Sequence, residues 1–389
     1  MPTADSSRNR ASSLRVLHVV DSLALGGAQS VLATLAGELQ RRGIDNRVVA
    51  LHGPGAALDR FHARGVSVEW LAASKKDPRI PLRLLRTIWR MRPDIIHTQL
   101  VVSSLLVELL GGLLPRGTRI IAHLQSQYRP EHRPDKYQNI LERFAYRRVD
   151  RIVTCGPSVA RGLARQRPRS TRAPIVVIPN SVDDAELQGR RWEDRRRLRA
   201  EFGITDSVPV FLSASRLVAL KNLDYALRVF AGVRRRVPRA VYLVAGTGPE
   251  EKRLHALAAE LGLGDSVRFL GFRNDVGALL SAADFCLLPS QYEGLSLFLA
   301  EALGKQAIGV VTPFEGHEAL VRHGRTGLVI PFDDHREAAR ILIAVLEDAR
   351  ARRLLAARGA AHARRHFAAS HMGERTEALY RQLLAGSRR

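Results

Sequence analysis

Two doubly wound α/β domains are what this 389-residue chain predicts, from three observations. Short Val/Ile/Leu-rich runs alternate with helical periods along its whole length, the pattern of parallel strands covered on both faces. The alternation runs twice, on either side of a polar stretch at 179–192 that holds Pro, Asn, Asp and Gly. The length exceeds one ordinary compact domain and suits two. Domains of this class bind ligands at the carboxyl ends of their strands, so the residues that follow each strand carry the functional reading.

The elements follow in order. Residues 1–13 are polar and Ser/Arg-rich and are expected to be a disordered tail. They lack the basic start, apolar core and cleavage site of a secretory leader. Strands are expected at 15–20, 47–51, 94–97, 119–123 and 151–154, with helices such as 28–42 and 137–148 between them. The apolar run 101–114 contains Glu108, is too short to cross a bilayer and is expected to be one core helix. Segment 79–92 spaces Ile80, Leu84, Ile88 and Met91 as one helical face, with Arg83, Arg86 and Arg90 interleaved. It fits a helix packed on the sheet with a basic outer face, or a helix lying on a membrane surface. Strands of the second half are expected at 208–213, 240–245, 267–270, 284–288, 307–311 and 327–330. The domains are set at 14–180 and 193–368, joined by a linker at 181–192. The end, 369–389, carries an amphipathic helix at about 370–384 after a basic one.

The apolar fraction of 46% and charged fraction of 25% are those of an ordinary globular protein. The net charge of +23 is not, and it comes from 61 basic residues of which six are Lys. Arginines scattered in this way fit either genomic base composition or attraction to a polyanion such as an anionic membrane face or an acidic glycan. No nucleic-acid motif accompanies them, and aromatics are only 6%, so no specific nucleic-acid partner is expected. Cys155 and Cys286 adjoin strand-like runs and are expected to be buried free thiols. A cytoplasmic setting is the expectation.

The most informative stretch runs from Glu293 to Leu303, after the strand-like run at 285–290. It reads as the start of a helix with Glu293 just ahead of it and Glu301 eight residues on. Eight residues of helix span roughly 12 Å. Two carboxylates flanking one glycosidic bond need about 5 to 10 Å, so these two are too far apart for that role. They suit the two ends of an extended ligand whose middle is an anion at the helix N-terminus, and a nucleotide-diphospho-sugar has that shape. After the first strand of the second half, Arg216 and Lys221 precede Asn222, an expected N-cap for a helix at 223–236. Bidentate Arg with point-charge Lys suits a diphosphate leaving group, and equally two solvated cations.

Gly26 and Gly27 after the first strand serve either a tight turn or a close approach of backbone to ligand. Gly246-Thr247-Gly248 has Glu251 where a dinucleotide fingerprint needs its third glycine, so Gly246 is read as a tight turn facing the ligand cleft. His97 and His123 close first-half strands. Each is either a satisfied structural histidine or a cleft residue, and His123 opens a long polar loop, 124–136. Asp183-Asp184 and Asp333-Asp334 lie in expected turns without supporting His or Cys, so no dedicated metal site is expected.

In order and spacing these segments resemble family-4 retaining glycosyltransferases of the GT-B fold, over nearly the whole chain. Pro289-Ser290, Glu293-Gly294 and Glu301-Ala302 carry the most specific part. Arg216-Leu217 with Lys221, the run 179–183, and Thr326-Gly327-Leu328-Val329 near Pro331 agree with it. The resemblance implies two Rossmann-like domains facing a cleft, with the last helix crossing back to the N-terminal one. It implies that Glu301 holds ribose hydroxyls and that Arg216 and Lys221 bind the diphosphate. Glu293 and the amides of Gly294, Leu295, Ser296 and Leu297 would hold the sugar and its phosphate. His123 would face the sugar, and Gly27 would approach the phosphate. It further implies a UDP- or GDP-linked sugar as co-substrate without cofactor or metal, and a glycan or lipid-linked acceptor. The net charge and the basic helix at 79–92 add an anionic membrane surface as an expected secondary partner. Retention of the anomeric configuration would follow from same-face attack as the leaving phosphate draws the acceptor proton.

The sequence departs from the family pattern at Gln99, where a second His is usual, at Ser181 in place of Gly, and at 304–308, which lacks a Pro. Two other readings stay open. A nucleotide-sugar epimerase on the same fold needs no acceptor. A non-catalytic polyanion-binding module would make the charge itself the function and would bind with steep salt dependence.

Overall fold

The computed structural model describes residues 14–24, 26–125, 146–166, 172–189 and 192–386. The expected tail, most of the polar loop and most of the helix expected at 137–148 lie outside them. Residues Tyr146 to Arg148, inside that expected helix, are turn and bend. The chain forms two units. One comprises the described residues up to Ser181 together with those from Ala369 onward, and the other is Val182–Ala368.

The sheet of the first unit contains β1 (Arg15–Ser22), β2 (Asp45–His52), β3 (Val68–Trp70), β4 (Ile95–Gln99), β5 (Arg119–Leu124), β6 (Arg151–Thr154) and β7 (Ile175–Val177). All pairings are parallel, in the order β3-β2-β1-β4-β5-β6-β7. Period-2 alternation sends Leu17, Val19, Ile96, Ile120 and Ala122 to one face, where they pack with Leu84, Ile88 and Val107. Val20, Val48 and Ala50 meet Leu32, Ala33 and Ala36 on the other. Both faces are covered, which is why the strands read as continuous apolar runs.

Helix Ile80–Met91 buries Ile80, Leu84, Ile88 and Met91 in this core, so segment 79–92 is packed on the sheet. The last helix, Ala369–Ala385, buries Met372, Leu379, Tyr380 and Leu383. It lies close to helix Gly27–Arg41: a Cβ on Gly373 would come within 2.2 Å of Glu38 Cγ, and Arg42 bonds the carbonyl of Ser370 at 3.0 Å.

Three local expectations need correction. The run 101–114 is not one helix: it ends at Leu109, and Gly111–Leu113 forms a separate 3₁₀ turn. Paired glycines at 111 and 112 lower helix propensity where the run would have continued. The short strands β3 and β7 were not expected. They stand at the two sheet edges, with β3 partly exposed and β7 half-buried along its length, so neither carries a buried apolar run.

The second unit holds β8 (Val210–Ala214), β9 (Val241–Ala245), β10 (Val267–Gly271), β11 (Phe285–Leu288), β12 (Ile308–Val311) and β13 (Leu328–Val329). They are parallel, in the order β10-β9-β8-β11-β12-β13. In each sheet the order reverses once, between β1 and β4 and between β8 and β11. A crevice opens outside the carboxyl ends of such strand pairs. No helix among the described residues is long and apolar enough to cross a membrane.

Candidate functional site

In the second unit the loops after β8 and β11 meet at the switch point, where the Gln291 amide donates to the Leu220 carbonyl at 3.0 Å. Lys221 Nζ stands 2.6 Å from Glu293 Oε1, and Ser290 Oγ donates to the same oxygen at 2.7 Å. Ser290 is fully buried, and its own carbonyl accepts from Thr312 Oγ1 at 2.8 Å. Glu293 Oε2 makes no hydrogen bond among the described residues, so one carboxylate oxygen is fixed and the other is left for a ligand. Arg216 is exposed at the mouth of the same loop.

Two expectations change in detail. The helix that follows Glu293 begins only at Leu297, so three residues of extended and bent chain separate the carboxylate from it and helical rise does not set the Glu293–Glu301 separation. Ser296 is its N-cap and accepts from the Leu299 amide at 3.3 Å. The amides of the first turn have no intrahelical acceptors and form the positive end of the helix. Gly294 to Leu297 thus lead into that end, and half-buried Glu301 lies one turn further on. Asn222 occupies the N-cap position of helix Leu223–Arg236 but makes no side-chain cap. It adopts the left-handed conformation, φ 53° and ψ 38°, which Asn tolerates better than most residues.

Gly246 owes its identity to proximity. Its φ is +130°, and a Cβ there would stand 1.8 Å from the carbonyl oxygen of Ser215. A Cβ on Gly248 would stand 2.3 Å from that of Leu217. The Leu217 amide donates to Thr247 at 2.9 Å and the Glu250 amide to Leu217 at 3.0 Å. The loop after β9 is therefore laid directly on the loop that carries Arg216.

In the first unit Gly26 is the N-cap of helix Gly27–Arg41, and nothing lies within 4 Å of the place a Gly27 side chain would take. Gln29 ties this turn to the end of β1 by donating to the Ser22 carbonyl at 3.1 Å. The parallel register sets His18 beside His97 and Gln99 beside His123. The three imidazoles form a buried row, with ring centroids 5.3 Å apart at each step. Burial holds the His18 and His123 pKa values down at about 3, and that of His97 well below its usual range. All three are neutral at physiological pH.

Gln99 donates to His123 Nδ1 at 3.3 Å and accepts from Gln125 at 3.2 Å. Since the Gln99 NH₂ can only donate, Nδ1 accepts and the His123 proton resides on Nε2. That nitrogen has no partner among the described residues. His97 Nδ1 lies 2.6 Å from the Tyr380 hydroxyl of the last helix. Sequence reasoning gave no role to Ser290, Gln99 or Tyr380. Ser290 lies two residues past the end of β11, which is a usable signal, whereas the pairing of residues 97 and 380 has none.

The departure at 304–308 also has a structural account. Lys305 is fully buried, and its ammonium lies 2.9 Å from the Glu186 carboxylate. Cys155 and Cys286 are buried free thiols. Among the described residues no three His, Cys, Asp or Glu side chains are grouped to hold a metal ion.

Two family models match the chain in tandem, Glycosyltransferase Family 4 over residues 25–186 and Glycosyl transferases group 1 over residues 194–362. The glycosyltransferase YqgM of Bacillus subtilis is 30% identical over 267 residues, covering 66% of this chain and 69% of YqgM. The chain belongs to the family-4 glycosyltransferases. Among the relatives of this glycosyltransferase is LpsE of Rhizobium meliloti, a lipopolysaccharide core biosynthesis glycosyltransferase, 25% identical over 86% of this chain and 89% of LpsE. The fold is shared with HepE of Anabaena, crystallised with UDP. HepE superposes with a TM-score of 0.82 at 20% identity, over 95% of this glycosyltransferase and all of HepE.

Proposed function

We infer that this glycosyltransferase moves a sugar from a UDP- or GDP-linked donor to a glycan or lipid-linked acceptor, with retention of anomeric configuration and without a metal. The observation that carries the reading is the Lys221–Glu293–Ser290 cluster at the switch point of the second unit. A carboxylate held by two donors on one oxygen presents the other to sugar hydroxyls in a fixed direction. Lys221 keeps two of its three N–H donors for phosphate oxygens, and Arg216 adds a second cation. The helix start at Leu297 adds its amides, and Glu301 one turn on takes the ribose hydroxyls.

Charge grows on the leaving phosphate in the transition state, so these donors act where charge develops. The bond from the anomeric carbon to the phosphate oxygen breaks as the acceptor oxygen bonds to that carbon from the same face. The acceptor proton passes to the departing phosphate oxygen. His123 contributes a neutral imidazole with its proton on Nε2, suited to donate to a sugar hydroxyl, and Gly27 leaves backbone open to phosphate. The UDP bound by HepE and the lipopolysaccharide core role of LpsE support the donor and acceptor classes.

The test is a panel of nucleotide-sugars with chelator present, read first as thermal shift and then as nucleotide release with and without candidate acceptors. One nucleotide should raise the melting temperature and its sugar should appear in an α- or β-product matching the donor anomer. Inversion would overturn the retaining mechanism, and a requirement for added metal the metal-free one. Sugar conversion without any acceptor would replace transfer by epimerisation.

A further inference from the structure

Lys305 is completely buried, and it stands at the C-cap of helix Leu297–Gly304, which carries Glu301. The cap is rigid. The Gln306 amide donates to the Leu303 carbonyl at 2.9 Å and the Ala307 amide to the Ala302 carbonyl at 3.0 Å, the two bonds of a Schellman motif. Glycine is the usual left-handed residue of that motif, but here Gln306 takes the place, at φ 62°. The Lys305 amide closes the last turn on the Glu301 carbonyl at 2.9 Å. The anchored lysine is thus one turn beyond Glu301, on the same side of the helix.

The Lys305 ammonium lies 2.9 Å from Glu186 Oε2, in the 3₁₀ turn Asp184–Leu187. This turn belongs to the segment by which the chain enters the second unit at Val182. It lies so close to the helix end that a Cβ on Gly304 would meet Leu187 Cα at 2.9 Å and the Glu186 carbonyl oxygen at 3.0 Å. The start of the segment is fastened to the place where the chain leaves the unit, since the Val182 amide donates to the Phe367 carbonyl at 2.9 Å. A buried ion pair adds little stability over apolar side chains of the same size. An apolar residue could fill the space of Lys305, but it could not hold the Glu186 carboxylate at one position. What the pair supplies is register between the turn and the helix.

We propose that Lys305 is a positioning residue for the donor: paired with Glu186, it sets the register of helix Leu297–Gly304 against the entering segment and so keeps Glu301 where it meets the ribose hydroxyls. This rests on the reading of Glu301 as the ribose-binding carboxylate. Without the pair, the Glu186 side chain, already 31% exposed, turns to water. The helix end is then free to shift, and a hydrogen bond to a hydroxyl weakens steeply once its length and angle leave their narrow range. The Lys221–Glu293–Ser290 cluster lies outside this helix and keeps its arrangement.

Isothermal titration calorimetry of the full chain with UDP and GDP, and with the dideoxyribose form of whichever binds, tests this. The wild type should favour the ribose form by roughly tenfold or more. Lys305→Met keeps the volume of the side chain, and Glu186→Gln alters only the partly exposed partner. Each should bring the two affinities together, while the dideoxyribose form binds as it does to the wild type. A purely structural role would lower the melting temperature and leave the preference for ribose unchanged, and that result would overturn the proposal. Glu186→Gln decides the matter if Lys305→Met does not fold. A wild type that binds both forms alike, or neither nucleotide, would remove Glu301 from the ribose and the proposal with it. A preference lost in Glu301→Gln but kept in Lys305→Met and Glu186→Gln would overturn the proposal alone.

Discussion

Lys221 Nζ and Glu293 Oε1 lie 2.6 Å apart, joining the loop after one strand to the loop after another across 72 residues of sequence. With Ser290 on the same oxygen, the pair is a single unit. Glu293→Gln and Lys221→Ala are each expected to lower kcat by about 10²- to 10³-fold. Because the two groups act together, the double variant should lose little more than either single one. Steady-state kinetics on purified variants checks both statements, and full additivity would break the unit apart. Ser290→Ala should reduce kcat about tenfold and stability by about 1 kcal/mol.

Gln99 fixes which nitrogen of His123 carries the proton. Gln99→Glu offers an acceptor in place of the donor, so the proton should move to Nδ1 and Nε2 should become an acceptor. Nitrogen NMR chemical shifts of the ring are the direct readout. A kcat lowered roughly tenfold with unchanged donor KM is the expected kinetic counterpart. A shifted tautomer with unchanged kcat would remove His123 from the chemistry.

Gly246→Ala is expected to destabilise the second unit by about 2 to 4 kcal/mol. Its methyl would stand 1.8 Å from the Ser215 oxygen, on a backbone at φ +130°. Denaturant unfolding measures the loss. Donor affinity should fall with it, since the displaced loop carries Arg216.

The histidine row predicts a pH dependence. His18 titrates near 6.5 when unfolded and at about 3 when folded, so the unfolded chain binds more protons between those values. Stability is therefore full above about pH 6.5 and falls as the pH drops toward 3. Asp21 and Glu108, whose carboxyls are raised by burial, act in the opposite sense. His18→Leu should shrink the stability difference between about pH 7.5 and about pH 5 by about 2 kcal/mol. Urea unfolding of both proteins at the two pH values decides it.

Much of this architecture is legible because burial on both sheet faces imposes long apolar runs. Helix Leu223–Arg236 matches its expected bounds, since its apolar period and the polar residues at either end agree. What escapes sequence reasoning is of two kinds. Edge strands such as β3 carry no buried run, and pairings between distant residues leave no local trace. Tyr380 meets His97 across 283 positions, and the place of Ser290 just past a strand marks it without revealing that Glu293 turns back upon it. Asn222 shows the limit of a correct position with the wrong reason: it stands at the helix start, but through its backbone conformation and not through a cap.

The first unit is closed by residues from Ala369 onward, whereas the second is continuous from Val182 to Ala368. During synthesis the unit begun first is therefore completed last. Until helix Ala369–Ala385 has left the ribosome, Tyr380 is absent from His97 and helix Gly27–Arg41 lacks its neighbour, while the second unit is already whole. A growing chain of this kind carries a finished domain and an unfinished one at once, and the unfinished one is the half in need of protection from aggregation.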